Sequence, residues 1–90
     1  MNEIQIIDFI EIYNIKHSLI ENFNNVLQNN SIEDLDITTK NLSIETENLI
    51  DEVWILFKTK IKQDVNEIGH YALQYDLNGE FIEEYFTIYH

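Results

Sequence analysis

The sequence contains no cysteine, no proline and no arginine, and it has only two glycines among its 90 residues. Without cysteine there is no disulfide bond, no thiolate metal site and no thiol nucleophile, which excludes the bridges that stabilise small secreted domains. Without proline, and with glycine only at Gly69 and Gly79, the chain has no Pro/Gly-rich linker between two domains. We therefore expect residues 1–90 to fold as a single domain in a reducing compartment.

A basic start and a long apolar run are also absent. The first residues read MNEIQIIDFIEIYN, with Glu3, Asp8 and Glu11 among the isoleucines. A secretory signal needs a basic start and an uninterrupted apolar segment, and a membrane span needs about 20 apolar residues. The sequence therefore predicts a cytoplasmic protein that does not enter the membrane.

Positive charge is scarce throughout the chain. The chain has five lysines and 17 acidic residues, which gives a formal net charge of −12 at pH 7. Its apolar residues, 44% of the chain, are sufficient for folding. Such a negative field repels nucleic acid and anionic membranes, and it accelerates encounters with a basic protein. Solubility alone is the alternative explanation for the acidity. We expect a basic protein partner, and we expect neither nucleic acid nor a membrane as a ligand.

The first third of the chain has the period of an amphipathic helix. Its apolar residues recur along one stripe, at Ile6, Phe9, Ile10, Tyr13, Ile20, Phe23 and Leu27, and the stripe is widened by Ile12, Ile15, Leu19 and Val26. Asparagines crowd residues 24–30, where they favour the end of a helix. The pattern predicts one long helix over about residues 3–28. Residues 31–42 show no sustained period, and the segment SIETENLID that begins at Ser43 predicts a second, short helix.

The segment VWILFKTKI, residues 53–61, fits both a strand and a helix. Its β-branched and aromatic content, together with the turn-like QDVNE that follows, favours a strand. In that strand Trp54 and Leu56 would share one side with the lysines, and the opposite side would carry Val53, Ile55, Phe57, Thr59 and Ile61. Trp54 is the only tryptophan, and it could either pack beneath the long helix or be an exposed anchor for a partner. We expect it to pack beneath the helix, because large aromatic side chains usually stabilise the fold.

The C-terminal stretch NEIGHYALQYDLNGEFIEEYFTIY contains two β-rich runs on either side of DLNG. Asp76 and Gly79 suit a type I turn with a bulge, whereas Asn78 and Gly79 alone suit a tight type I′ turn. The two turns differ by one residue of register, so the sequence leaves the register open.

These segments together predict an α+β fold. It consists of a long N-terminal helix, a short second helix and a three-stranded antiparallel meander at the C-terminus. If residues 53–61 were helical instead, the fold would have two long helices and a C-terminal β-hairpin.

No catalytic or metal-binding pattern is present, so we expect a protein that is not an enzyme and that has no cofactor. Close pairs of acids arise by chance among 17 carboxylates, and general acid–base catalysis needs positioned partners as well. His17, His70 and His90 lack the spacing of metal ligands. DLNGEFIEE places oxygen ligands at alternate positions, but a calcium loop requires glycine at its sixth position and an acid at its twelfth.

The candidate binding surface is the outward side of the last strand. We assign Ile82, Phe86 and Ile88 to the core, which leaves acids and aromatic rings on the outward side. In either register, one acid of the pair Glu83–Glu84 lies on each face. Tyrosine and phenylalanine anchor protein contacts, and acids select a basic partner. The ordinary explanation is a strand that acids keep soluble. The predicted partner-binding residues are Asp76, Glu80, Phe81, Glu83, Glu84, Tyr85 and Tyr89, of which Phe81, Glu83, Tyr85 and Tyr89 should face outward.

An acidic single domain with a leading helix and this C-terminal meander resembles the small immunity proteins of bacterial contact-dependent inhibition and polymorphic toxin systems. The resemblance covers mainly residues 53–90. It implies a cytoplasmic protein that binds a cognate toxin domain, often a nuclease, and neutralises it by stoichiometric inhibition. Two other functions fit the same charge: an acidic phage-encoded inhibitor that mimics nucleic acid, such as an anti-CRISPR protein, and an acidic interaction or scaffold domain without an inhibitory role.

Overall fold

The computed structural model describes residues 3–49 and 52–89. Its elements are two helices and five strands, in the order α1 (Glu3–Ile12), α2 (Ile15–Asn29), β1 (Asp36–Ile37), β2 (Ser43–Leu49), β3 (Glu52–Gln63), β4 (Asn66–Asp76) and β5 (Phe81–Ile88). All strand pairs are antiparallel. β3, β4 and β5 form a meander, and β1 and β2 pair one after the other with the remaining edge of β3. The α+β class and the C-terminal meander are therefore confirmed.

The long helix predicted over residues 3–28 is interrupted at Tyr13 and Asn14. Asn14 has left-handed backbone angles, φ 51° and ψ 48°, which asparagine adopts more readily than most residues. The break changes the phase of the apolar stripe, so that Ile15 and Leu19 are fully buried while Ile20 is exposed. Two helices of different phase therefore cover the sheet, and the prediction of one continuous helix is wrong.

Residues 43–49 form a strand, so the prediction of a short helix there is also wrong. β2 pairs with β3 residue by residue along all 7 of its residues. Local preference is overruled because the edge of the long strand β3 offers a full ladder of backbone hydrogen bonds. The last two residues of the predicted helix, Ile50 and Asp51, lie outside the described residues.

The strand interpretation of residues 53–61 is confirmed, together with the division of its side chains. The side that faces the helices is buried at Ile55, Phe57, Thr59 and Ile61. Trp54 is only half-buried and lies on the opposite side with Leu56 and Lys58. The expectation that Trp54 packs beneath the helices is wrong because the alternation of side chains along a strand directs it away from them.

The core lies between the helices and the inner face of the sheet. Its buried members are Phe9, Ile15, Leu19 and Phe23 from the helices and Ile55, Phe57, Ile61, Tyr71, Leu73 and Tyr75 from β3 and β4. The ring of Phe23 meets Tyr71 edge-on at a centroid distance of 5.3 Å and stacks on Phe86 at 6.0 Å. Aromatic pairs of this kind contribute about 0.5–1.5 kcal/mol beyond their buried area.

The opposite side of the sheet, which we call the outer face, is covered by no described helix or strand. Its central residues follow from the register of β3, β4 and β5, and they are Trp54, Leu56, Lys58, Lys60, His70, Ala72, Gln74, Glu83, Tyr85 and Thr87. One open face is common for an antiparallel sheet. The outer face is therefore the part of the sheet that is available to a partner.

Candidate partner-binding surface

β4 and β5 are joined by a type I turn with a glycine bulge, which is one of the two alternatives that the sequence left open. The N–H of Gly79 donates to the carbonyl of Asp76 at 3.1 Å, and Gly79 has a φ of 82°. The carboxylate of Asp76 accepts hydrogen bonds from the N–H groups of Asn78 and Glu80, both at 2.9 Å. Asp76, one of the predicted partner-binding residues, therefore has a structural role in forming the turn.

A second irregularity determines where the first residues of β5 point. The register of β4 and β5 slips by one residue after the turn, so that Tyr75 lies opposite Phe81 and Ile82 is the extra residue. Phe81 therefore lies on the helix side, with its ring centroid 6.1 Å from that of Tyr75, and it is exposed there. Both face assignments made from the sequence are wrong here, since Phe81 does not share the outer face with Tyr85 and Ile82 is exposed. The bulge interrupts the alternation on which they depended.

The two adjacent glutamates of β5 lie on opposite faces, as predicted. Glu83 is exposed on the outer face opposite Gln74, whereas Glu84 is half-buried on the helix side. The hydroxyl of Tyr71 donates a hydrogen bond to Oε2 of Glu84. Burial, followed by this hydrogen bond, raises the pKa of the Tyr71 hydroxyl. Glu84 therefore has a structural partner, and Phe86 and Ile88 pack against the core as expected.

The remaining predicted residues are exposed along β5 and just beyond its two ends. We call Glu80, Glu83, Tyr85 and Tyr89 the acid–aromatic strip. Tyr85 is 42% exposed, and its hydroxyl donates to Oε1 of Gln74 at 2.9 Å, which fixes the ring on the outer face. Tyr89 is 49% exposed beyond the end of β5. The strip therefore combines unburied aromatic rings with two carboxylates.

The two carboxylates of the acid–aromatic strip, those of Glu80 and Glu83, have no lysine among their ion-pair partners in the described residues. The sequence contains no lysine after Lys62. Lys58 lies 3.7 Å from a carboxylate oxygen of Glu45, and Lys60 lies 3.4 Å from one of Glu67. The one other ion pair found among the described residues joins His17 and Glu21 on α2. Glu80 and Glu83 are therefore exposed and take part in none of these pairs, which leaves them available to an external cation.

The outer face also contains residues that the sequence did not indicate as binding residues. Trp54, Leu56 and Tyr85 surround Ala72, which is the floor of a shallow concavity of about 180 Å³. The alternation within VWILFKTKI already placed Trp54 beside the lysines. That signal was sufficient to identify Trp54 as an outer-face residue, but the size of its ring suggested a core position instead.

The described part of the chain contains no other arrangement with an obvious chemistry. No three of its His, Asp or Glu side chains are placed to hold a metal ion. His17 pairs with Glu21, His70 lies on the outer face with its ring 5.9 Å from that of Tyr89, and His90 lies outside the described residues. Neither α1 nor α2 has the length and hydropathy that crossing a membrane requires.

Comparison of the chain with protein-family models, with curated proteins and with solved structures found no significant match. The exposure, charge and contacts of the outer face are therefore the basis for assigning a function.

Proposed function

We propose that this chain is an immunity protein that binds a cognate basic toxin domain in the cytoplasm and neutralises it by stoichiometric inhibition. The observation that carries the proposal is the acid–aromatic strip, in which Glu80 and Glu83 are exposed without a lysine partner beside the exposed ring of Tyr85. Resemblance of residues 53–90 to such immunity proteins supports the same conclusion. No catalysis by this chain is required, because occupying the toxin is sufficient.

The inhibitory contact would consist of carboxylates in a basic cleft. A nuclease holds phosphates with lysine or arginine, and the carboxylates of Glu80 and Glu83 would replace the phosphates there. Tyr85 would exclude water around the resulting ion pairs, as aromatic anchors do at the centre of interfaces. The hydroxyl of Tyr85 is already bonded to Gln74, and Asp76 already forms the turn. These groups would therefore lose little conformational freedom on binding.

The charge of the whole chain would act before contact. A net charge of −12 raises the encounter rate with a basic partner, and salt weakens the effect because it screens the field. We therefore expect the association rate to fall steeply as ionic strength rises, while the dissociation rate changes little. An association rate that is constant across a salt series would show that the acids do not guide the encounter.

The test uses the chain as bait in a lysate of the organism that encodes it, alongside a Glu83→Gln, Tyr85→Ala double variant. Proteins captured by the parent and not by the variant are identified by mass spectrometry, and the product of the gene immediately upstream is tested directly. The proposal requires that the captured protein is basic, arrests growth when produced alone, and loses its activity at one equivalent of this chain. The double variant must melt like the parent.

Two results would contradict the proposal. One is a captured protein whose activity persists with excess chain, which would indicate an interaction domain without an inhibitory role. The other is capture and inhibition of a large nucleic-acid-binding effector that arrests no growth by itself, which would indicate a nucleic-acid mimic. Truncation of a buried charged pair typically costs about 2–5 kcal/mol of binding, whereas neutralising an exposed acid costs under about 1 kcal/mol. Single variants at Glu83 and Tyr85 then distinguish a contact from a solubilising surface.

A further inference from the structure

We infer that the outer face is also a self-association surface, where a second copy of the chain binds about a two-fold axis. Ala72 lies at its centre, opposite Lys58 on β3 and opposite Tyr85 on β5. Lys60 is two residues from Lys58 towards one end of the sheet, and Glu83 is two residues from Tyr85 towards the other end. Ala72 therefore lies midway between a lysine and a glutamate of opposite charge.

This placement makes the face complementary to itself. Two sheets that pack face to face can be related by a two-fold axis that lies in the plane between them. If the axis passes over Ala72 at right angles to the line from Lys60 to Glu83, it places Lys60 of each copy over Glu83 of the other. One geometric relation then produces two ion pairs. The ammonium group of Lys60 has three donors, so its pairing with Glu67 at 3.4 Å leaves donors for a second acceptor.

The distribution of charge supports a second copy as the occupant of this face. Two chains with a net charge of −12 each repel one another over most of their surfaces. Three of the five lysines, Lys58, Lys60 and Lys62, lie on successive outward positions of β3. The outer face is therefore where another acidic chain meets attraction as well as repulsion.

The centre of the face supplies an apolar contact between the two ion pairs. Trp54 and Leu56 are half-buried, Tyr85 is 42% exposed, and the small side chain of Ala72 leaves the concavity of about 180 Å³ between them. The same axis brings Tyr85 of the second copy over this concavity. Large aromatic residues that enter such a depression are typical interface anchors.

Self-association would compete with the toxin, because Glu83 and Tyr85 take part in both contacts. This consequence rests on the proposed function, whereas self-association itself does not. In the complex with the toxin, a basic residue of the toxin would take the place of Lys60 of the second copy. Free chain would be stored as a dimer, and each inhibitory complex would contain one copy of the chain.

The experiment uses the purified chain alone, so its result is independent of any toxin. Sedimentation velocity over about 1 µM to 1 mM protein measures the dimer dissociation constant. Lys60→Glu and Glu83→Lys are measured separately and as an equimolar mixture. Each variant alone would place like charges opposite each other, whereas the mixture would restore both pairs with the charges exchanged. Lys16→Glu and Glu11→Lys, exposed on the two helices that cover the opposite side of the sheet, make the same charge changes away from the outer face.

We expect the parent to dimerise and each outer-face variant to raise the dissociation constant at least tenfold, about 1.4 kcal/mol. The mixture of Lys60→Glu and Glu83→Lys should form a mixed dimer, which also shows that both variants are folded. A parent that remains monomeric at about 1 mM overturns the inference. So does a mixture that stays monomeric, or an outer-face variant that dimerises as well as its Lys16→Glu or Glu11→Lys control.

Discussion

Glu83 and Glu84 are adjacent and chemically identical, but the structure gives only Glu84 a bond to a core residue. The side chain of Tyr71 is fully buried, and its hydroxyl donates to Oε2 of Glu84. Glu84→Ala removes the acceptor and leaves that hydroxyl without its partner, which costs about 1–3 kcal/mol of unfolding free energy. Glu83→Ala removes an exposed carboxylate, and we expect a change within about 0.5 kcal/mol. Both variants replace a glutamate by alanine at adjacent positions of β5, so each controls for the loss of one carboxylate from that strand.

Urea unfolding followed by the fluorescence of Trp54 measures both variants, since the single tryptophan is retained in each. A double-mutant cycle with Tyr71→Phe then isolates the contact, because Tyr71→Phe removes the donor and Glu84→Ala removes the acceptor. We expect a coupling of about 0.5–3 kcal/mol. Equal destabilisation by the two glutamate variants, or strictly additive effects in the cycle, would show that the hydrogen bond between Tyr71 and Glu84 does not stabilise the fold.

Three further predictions concern the sheet. Gly69→Ala should lower the free energy of unfolding by about 1–3 kcal/mol, because its Cβ would clash with the backbone carbonyl oxygen of Thr87 and β5 would have to move. An unchanged melting temperature would contradict this. Trp54→Ala should lower the free energy of unfolding, measured by circular dichroism, by about 1–2 kcal/mol, because Trp54 is only half-buried. Phe57→Ala, at a fully buried position, should lower it by about 3–5 kcal/mol, and equal losses would place Trp54 in the core. Burial, followed by the bond to Glu84, raises the pKa of Tyr71 above its unfolded value near 10, so its stabilising contribution is complete below about pH 10 and is lost as pH rises further. Tyr71→Phe should therefore flatten the alkaline decline of stability, and an unchanged slope argues against this role.

Properties that depend on composition or on local period could be predicted from the sequence alone. The net charge follows from counting, and the α+β class with its C-terminal meander follows from the runs of apolar residues. The two sides of residues 53–61 and the opposite faces of Glu83 and Glu84 were also predictable, because side chains along a strand alternate with a period of two wherever no bulge intervenes. Asp76, Asn78 and Gly79 limited the turn to two types, because turn type depends on the residues of the turn itself.

Pairing between distant segments was decided by the tertiary structure. Residues 43–49 have no strong local strand signal, and they are a strand because the edge of β3 satisfies their backbone. The bulge at Ile82 depends on how β5 meets β4, and it moves Phe81 to the helix side. Asn14 tolerates a left-handed conformation, but whether the helix breaks there depends on how α1 and α2 fit onto the sheet.

The candidate binding residues show the same division. The sequence identified the C-terminal hairpin as acidic and aromatic, and that property is local. Asp76 was a turn candidate from the sequence, but only the folded sheet shows that its carboxylate accepts hydrogen bonds from the turn backbone and that Glu84 is bonded to Tyr71. The acid–aromatic strip and the half-buried Trp54 share one outer face because β3, β4 and β5 align in register. Residues 54 and 83 are far apart in the chain, and no local pattern specifies such an alignment, since it depends on hydrogen bonds between strands.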